Sequence, residues 1–108
     1  MERIIYHCAG WKWNPYDGEP EEEIVGRGWM QKQGLPVPGT LRNAMIVRAG
    51  VLTDGECLAD SKGSKAYRAA EGEVGGYDIS REDVAHFIFD AVKNHWNKYG
   101  GRQVSVAY

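Results

Sequence analysis

Three histidines and two cysteines are the residues of this chain best suited to hold a metal ion, and their spacing argues against it. His7 and Cys8 are neighbours, so on an extended strand their side chains leave opposite faces. His86 and His95 lie nine residues apart, or two and a half turns of a helix, and again point apart. Neither C-x-x-C nor H-E-x-x-H occurs. Structural roles and no metal are expected. Cys8 and Cys57 do not make a disulfide framework and read as free, small apolar side chains.

Phosphate binding and nucleophilic catalysis leave equally thin traces. A dinucleotide site announces itself as G-x-G-x-x-G between a strand and a helix, and that fingerprint is absent. Gly26-Arg27-Gly28 lacks the third glycine. Gly72-Glu73-Val74-Gly75-Gly76 precedes a helix that opens with Glu82 and Asp83, charges that repel a phosphate, so it reads as a flexible turn. No G-x-S-x-G elbow exists. None of the six tyrosines has a lysine four residues on. Tyr77 has Arg81 there, and a permanently protonated guanidinium is a poor proton relay. Trp11, Trp13 and Tyr16 stand in a polar loop, where aromatic rings either read a ligand or fold back over a small core. The second is the expectation for a chain of this size. The acidic residues Glu19, Glu21, Glu22 and Glu23 read as a solvated first helical turn.

The elements that position these residues divide the chain in two. With 108 residues a single domain is expected, in two unlike parts. Residues 1–40 hold three of the four tryptophans and all four prolines, whereas 41–108 read as alternating α/β sequence. Formal net charge is −2, from 13 basic and 15 acidic residues without a basic run, so no nucleic-acid partner is indicated. No apolar stretch approaches the ~20 residues that span a bilayer. The N-terminus from Met1 to His7 lacks the apolar core of a signal peptide, and a cytoplasmic location is expected.

Arg3 to Cys8, short and partly β-branched, predicts a strand. Asn14-Pro15 and Asp17-Gly18 predict turns. A helix is expected after Pro20 with Ile24, Val25, Trp29 and Met30 inward, although Gly26 and Gly28 weaken it by up to ~1 kcal/mol each. Asn43 to Arg48 reads as a buried strand, Lys65 to Ala70 as a weaker one, and Gln103 to Tyr108 as a final one. The clearest element lies between the last two. Ser80 is a good N-cap, Asp83 stands where a capping box has its acid, and Ile79 and Val84 occupy the positions of a hydrophobic staple. Val84, Ala85, Phe87, Ile88, Ala91, Val92 and Trp96 then follow one helical stripe until Gly100-Gly101.

The segment Ile46-Val47-Arg48-Ala49-Gly50-Val51-Leu52-Thr53-Asp54-Gly55, followed by Ala66-Tyr67-Arg68, by Ile79 to Phe89 (I-S-R-E-D-V-A-H-F-I-F) and by Gln103 to Ala107, resembles the C-terminal third of the NmrA-like NAD(P)-binding proteins. These are atypical short-chain dehydrogenase/reductases that include flavin and biliverdin reductases. The resemblance covers about residues 41–108. It implies an α/β fold, the C-terminal half of a Rossmann-like, mostly parallel sheet with packed helices, and an NAD or NADP cofactor. It also implies that the loop after the Arg48 strand lies beside the nicotinamide, which carries cofactor binding onto Arg48, Ala49, Gly50, Val51 and Leu52. Ala49 stands where the family usually has proline, which leaves this loop less rigid. The family's glycine-rich phosphate-binding turn has no counterpart in these residues. The resemblance therefore implies a domain portion that is not catalytically competent alone. A parallel strand edge is left bare, so self-association or docking onto a complementary chain is expected. The competing expectation is a non-catalytic interaction or oligomerisation module derived from a reductase fold.

Overall fold

The computed structural model describes residues 2–108; Met1, where the N-terminal reading begins, lies outside the described residues. The chain divides into two compact units, Met1–Ala44 and Met45–Tyr108.

The first unit is built from short helical turns and loops. Arg3 to Cys8, expected as a strand, is instead helix α1, Glu2–Ala9. Ile4, Ile5, Cys8 and Ala9 fit a helical period as well as a strand, and a short apolar run cannot separate the two. What decides is the exit. Gly10 takes a positive φ of 72°, its N–H bonds to His7 O at 3.1 Å and that of Trp11 to Tyr6 O at 2.9 Å, which is the paired closure of a Schellman cap. His7 and Cys8 therefore do not leave opposite faces of a strand; Cys8 is buried and His7 meets Trp29 edge-on at 5.2 Å. The helix expected after Pro20 is a single turn, α2 (Glu22–Val25). Gly26 stops it at φ 88°, and a 3-10 turn at Trp29–Gln31 follows. Ile24 is exposed rather than inward.

Trp11 and Trp13 pack edge-on against Tyr6, at 5.3 and 5.0 Å. The Arg3 guanidinium lies over the Trp13 and Trp29 rings and pairs with Glu19 at 3.1 Å. These tryptophans are held within their own unit, as expected for rings that fold back; Tyr16 points into solvent.

The second unit is a mixed α/β assembly. Its elements are β1 (Ile46–Ala49), β2 (Val51–Thr53), α3 (Ala59–Lys62), β3 (Arg68–Glu71), β4 (Asp78–Ser80), α4 (Arg81–Asn94), α5 (Trp96–Tyr99) and β5 (Gln103–Ala107). One sheet has the order β1-β5-β3 and the other pairs β2 with β4. Strands β1 and β5 run parallel, with Ile46 opposite Gln103 and Ala49 opposite Val106, and β2–β4 is parallel too; β3 is antiparallel to β5. The unit is thus a small, mostly parallel arrangement. The weak strand expected at Lys65–Ala70 sits slightly later, after a 3-10 turn at Gly63–Ala66.

The core is Ala59, Tyr67, Ile79, Phe87, Ala91, Val104 and Val106. Helix α4 starts where the capping residues require: Ser80 is extended (φ −70°, ψ 151°) and its Oγ accepts from the Asp83 N–H. Its apolar stripe is split, with Phe87 and Ala91 facing the core while Ala85, Ile88, Phe89 and Val92 face solvent. The helix also ends before Gly100, at His95 (φ −133°), whose ring turns back to the Asp90 carboxylate at 3.0 Å. No described helix is long and apolar enough to cross a membrane.

Candidate functional site

Strands β1 and β5 carry their backbones side by side to a common end, where the chain must change partner. The Gly50 N–H donates to Val106 O at 3.0 Å, still on β5, and the next N–H, Val51, donates to Tyr77 O at 2.9 Å, already on the β4 side. A Cβ on Gly50 would lie 2.8 Å from Tyr77 O, so a residue without a side chain is required at this crossover. On the other side, Gly75 and Gly76 have φ of 67° and 85°, and a Cβ on Gly76 would lie 2.2 Å from Tyr108 O. The loop before β4 is therefore laid directly on the end of β5.

Between these two backbones is a groove of about 280 Å³, lined by Arg48–Gly50, Glu73–Gly76 and Ser105–Ala107. It opens at the carboxyl ends of two adjacent parallel strands, where open α/β sheets bind ligands. Arg68 Nη1 donates to Val74 O at 3.4 Å and ties the loop to β3. The lining offers a guanidinium (Arg48), a carboxylate (Glu73), a serine hydroxyl and glycine backbone. The volume lies at the lower edge of small-molecule sites, enough for one ring system but not for a whole dinucleotide.

Of the five residues that the family resemblance singles out, the structure brings three to this groove: Arg48, Ala49 and Gly50. Val51 and Leu52 continue along β2 with exposed side chains and are not among the lining residues. The Glu73–Gly76 wall escaped the sequence reading, which took the glycines for a flexible turn. Their signal was present: two consecutive glycines two residues before a strand, at a spacing that lets backbone lie on backbone.

A second cluster surrounds Asp83, which is fully buried. Its carboxylate accepts from the Leu58 and Ala59 N–H groups at 3.1 and 2.9 Å, from Ser80 Oγ at 3.0 Å, and from the Tyr108 hydroxyl. Burial alone pushes this carboxyl up, but the donors from Tyr108, Ala59, Leu58 and Ser80 outweigh it and hold the pKa at about 2. The capping box is only half formed. Asp83 does not return to the Ser80 N–H, which instead bonds Tyr108 Oη at 3.2 Å. A glutamate would have one more methylene for that return; the shorter aspartate turns sideways to α3 and the last residue. Cys57 Sγ also approaches Asp83, at 3.4 Å, and burial followed by that bond raises the thiol, so it is no thiolate nucleophile.

A third cluster lies beneath α4 and α5. Tyr67 Oη is 2.8 Å from His86 Nδ1, and burial, then the Asp90 and Asp83 charges, push the phenol up to about 12. A phenol so weakly acidic stays protonated, and it is not poised for proton transfer near neutrality. The Asn94 amide, together with His95, holds the Asp90 carboxyl low. Among the described residues no group of three His, Cys, Asp or Glu side chains is arranged to hold a metal, and both cysteines are free.

The chain is 36% identical over 78 residues to the reductase pytE of Aspergillus terreus, a match that takes in 68% of this chain and 29% of that protein. The chain thus spans less than a third of the length of this curated relative, and the match supports a reductase-like relationship and nothing finer. No family model matches the sequence, and no solved structure matches it.

Proposed function

We propose that this chain is the closing portion of an NAD(P)-binding, oxidoreductase-like domain of the NmrA-like, atypical short-chain dehydrogenase type, and that its groove receives the nicotinamide end of the cofactor. The observation that carries this reading is the parallel β1–β5 pair, whose carboxyl end opens at Arg48–Gly50 against the Gly75-Gly76 backbone, in a chain with a reductase relative. A carboxamide-bearing aromatic ring suits the groove: it is flat, of the right volume, and hydrogen-bonds to backbone. The chain alone binds weakly, because much of the usual grip on a dinucleotide comes from a phosphate-binding turn. It is not catalytic alone, because the groove offers no tyrosine–lysine pair.

Titration of the isotope-labelled chain with NADPH and with NADP⁺, followed by amide NMR, tests this. Saturable shifts of the Gly50, Gly75 and Gly76 amides with a dissociation constant of about 1 mM or below are expected. Shifts absent at these amides up to about 10 mM cofactor defeat the reading. A second reading, a non-catalytic interaction module, is favoured by the apolar residues that α4 turns to solvent. Cofactor-dependent turnover by the isolated chain excludes it.

A further inference from the structure

Helix α4 carries two adjoining apolar strips beside a polar face of Glu82, His86, Asp90 and Lys93. Its inner face, Phe87 and Ala91, is buried to 2% and 1% exposure. Its outer face carries Ile88 (41% exposed), Phe89 (65%) and Val92 (58%), with Ala85 between them and Trp96 (37%) just beyond the helix end. The apolar arc of α4 is thus wider than the strip that the core covers, and an amphipathic helix ordinarily turns its apolar arc to a partner. The exposed parts of these outer side chains amount to roughly 400 Å², the size of the largest apolar patch on a typical monomer, which is often functional.

We propose that this face is an interface between two copies of the chain, packed as an antiparallel α4–α4 pair about a two-fold axis near Ile88 and Phe89. The arrangement is self-complementary, as a two-fold interface must be. With the axis between those residues, Ile88 of one copy meets Phe89 of the other, and the small Ala85 meets Val92. Glu82 and Lys93 lie at opposite ends of α4 on one flank of the stripe, and the two-fold brings each within a helical turn of the other's counterpart. Among the described residues neither makes an ion pair within its own chain, whereas Lys93 Nζ rests over the Phe89 ring at 5.4 Å, beside the stripe. Antiparallel helices also oppose their dipoles favourably. The area is consistent: a stable pair needs about 800 Å² per partner, a little over half of it apolar, and the stripe supplies that apolar share.

Sedimentation equilibrium of the whole chain tests the proposal. A reversible dimer with a micromolar dissociation constant is expected. Phe89→Asp changes an exposed residue and should raise that constant about a hundredfold, with the far-ultraviolet dichroism unchanged. Glu82→Lys and Lys93→Glu should each weaken the dimer about fivefold, and the double charge swap should restore it. A chain that stays monomeric to about 200 µM overturns the proposal. So does a dimer indifferent to Phe89→Asp, which would be one joined through the β1 edge, and so does a double swap no better than the singles.

Discussion

The hydroxyl of Tyr108, the last residue of the chain, donates to the carboxylate of Asp83 in the first turn of α4. One buried anion thereby joins the C-terminus, the N-cap of α4 and the start of α3, since the same carboxylate takes the Leu58 and Ala59 N–H groups and the Ser80 hydroxyl. Removing the acceptor leaves several buried donors without a partner, and each unsatisfied group costs more than a hydrogen bond ordinarily contributes. Asp83→Ala is expected to destabilise the fold by about 3 kcal/mol or more. Tyr108→Phe, which removes one donor and leaves the anion otherwise satisfied, is expected to cost about 1–2 kcal/mol. Urea midpoints of the two variants against the parent measure both. Equal losses would mean that Tyr108 rather than Asp83 is the centre of the cluster.

The same carboxylate makes the fold acid-sensitive in a defined window. Its pKa is about 2 in the folded chain against 3.8 unfolded, so above about pH 5 both states are ionised and the stabilisation is complete. As pH falls from about 5 to 2, the unfolded chain takes up the proton first and the stabilisation drains away, by about 2 kcal/mol in all. Urea unfolding followed from pH 6 to pH 2 should show this slope. Asp83→Asn, which cannot titrate, should flatten it.

Most of the second unit was legible because its residues state their roles locally. Ser80 capped α4 where its hydroxyl and the following acids required, and the β-branched run after Asn43 and the alternation after Gln103 became neighbouring parallel strands. The first unit was not legible in this way. Ile4, Ile5, Cys8 and Ala9 satisfy two periods at once, and the choice was made at Gly10 and by the loop that returns to Cys8 O through the Gly39 and Leu41 N–H groups. The apolar residues of α4 were read as one core stripe because periodicity counts residues and cannot say which of two adjoining faces meets the sheet. The groove was half legible. Arg48 to Gly50 came from a family resemblance, whereas the opposite wall depends on where Gly76 lies against Tyr108, a relationship across 32 residues that no local pattern carries.

Tyr67 supplies a spectroscopic prediction at the opposite end of the pH scale. Burial and nearby carboxylates hold its phenol at about 12, against 10 unfolded. Between pH 10 and 12 the unfolded chain loses this proton while the folded chain keeps it, so stability falls as pH rises through that interval. Absorbance at the tyrosinate band, followed through an alkaline titration, should show a Tyr67 step that comes late or only with unfolding. Tyr67→Phe should remove that late step and leave the others in place. A uniform ionisation near pH 10 in the folded chain would contradict the burial of the Tyr67–His86 pair.

The backbone crossover at the groove yields a graded pair of substitutions. In Gly50→Ala the new methyl meets Tyr77 O at 2.8 Å, a clash with backbone but without added strain from a positive φ, and a cost of about 2–3 kcal/mol is expected. Gly76→Ala meets Tyr108 O at 2.2 Å from a backbone at φ 85°, so strain and overlap add, and the cost should exceed 3 kcal/mol. The control is Gly72→Ala, also at positive φ (82°) but facing open space, which isolates the conformational part at about 1 kcal/mol. Thermal or urea melts should therefore rank the variants Gly72, Gly50, Gly76 from mildest to most severe. Gly76→Ala should also shift the Ala107 and Tyr108 amide resonances, because relief is available only by lifting the loop from the end of β5. If Gly76→Ala proved as mild as Gly72→Ala, the loop would not rest on that strand, and the groove would lose one of its walls.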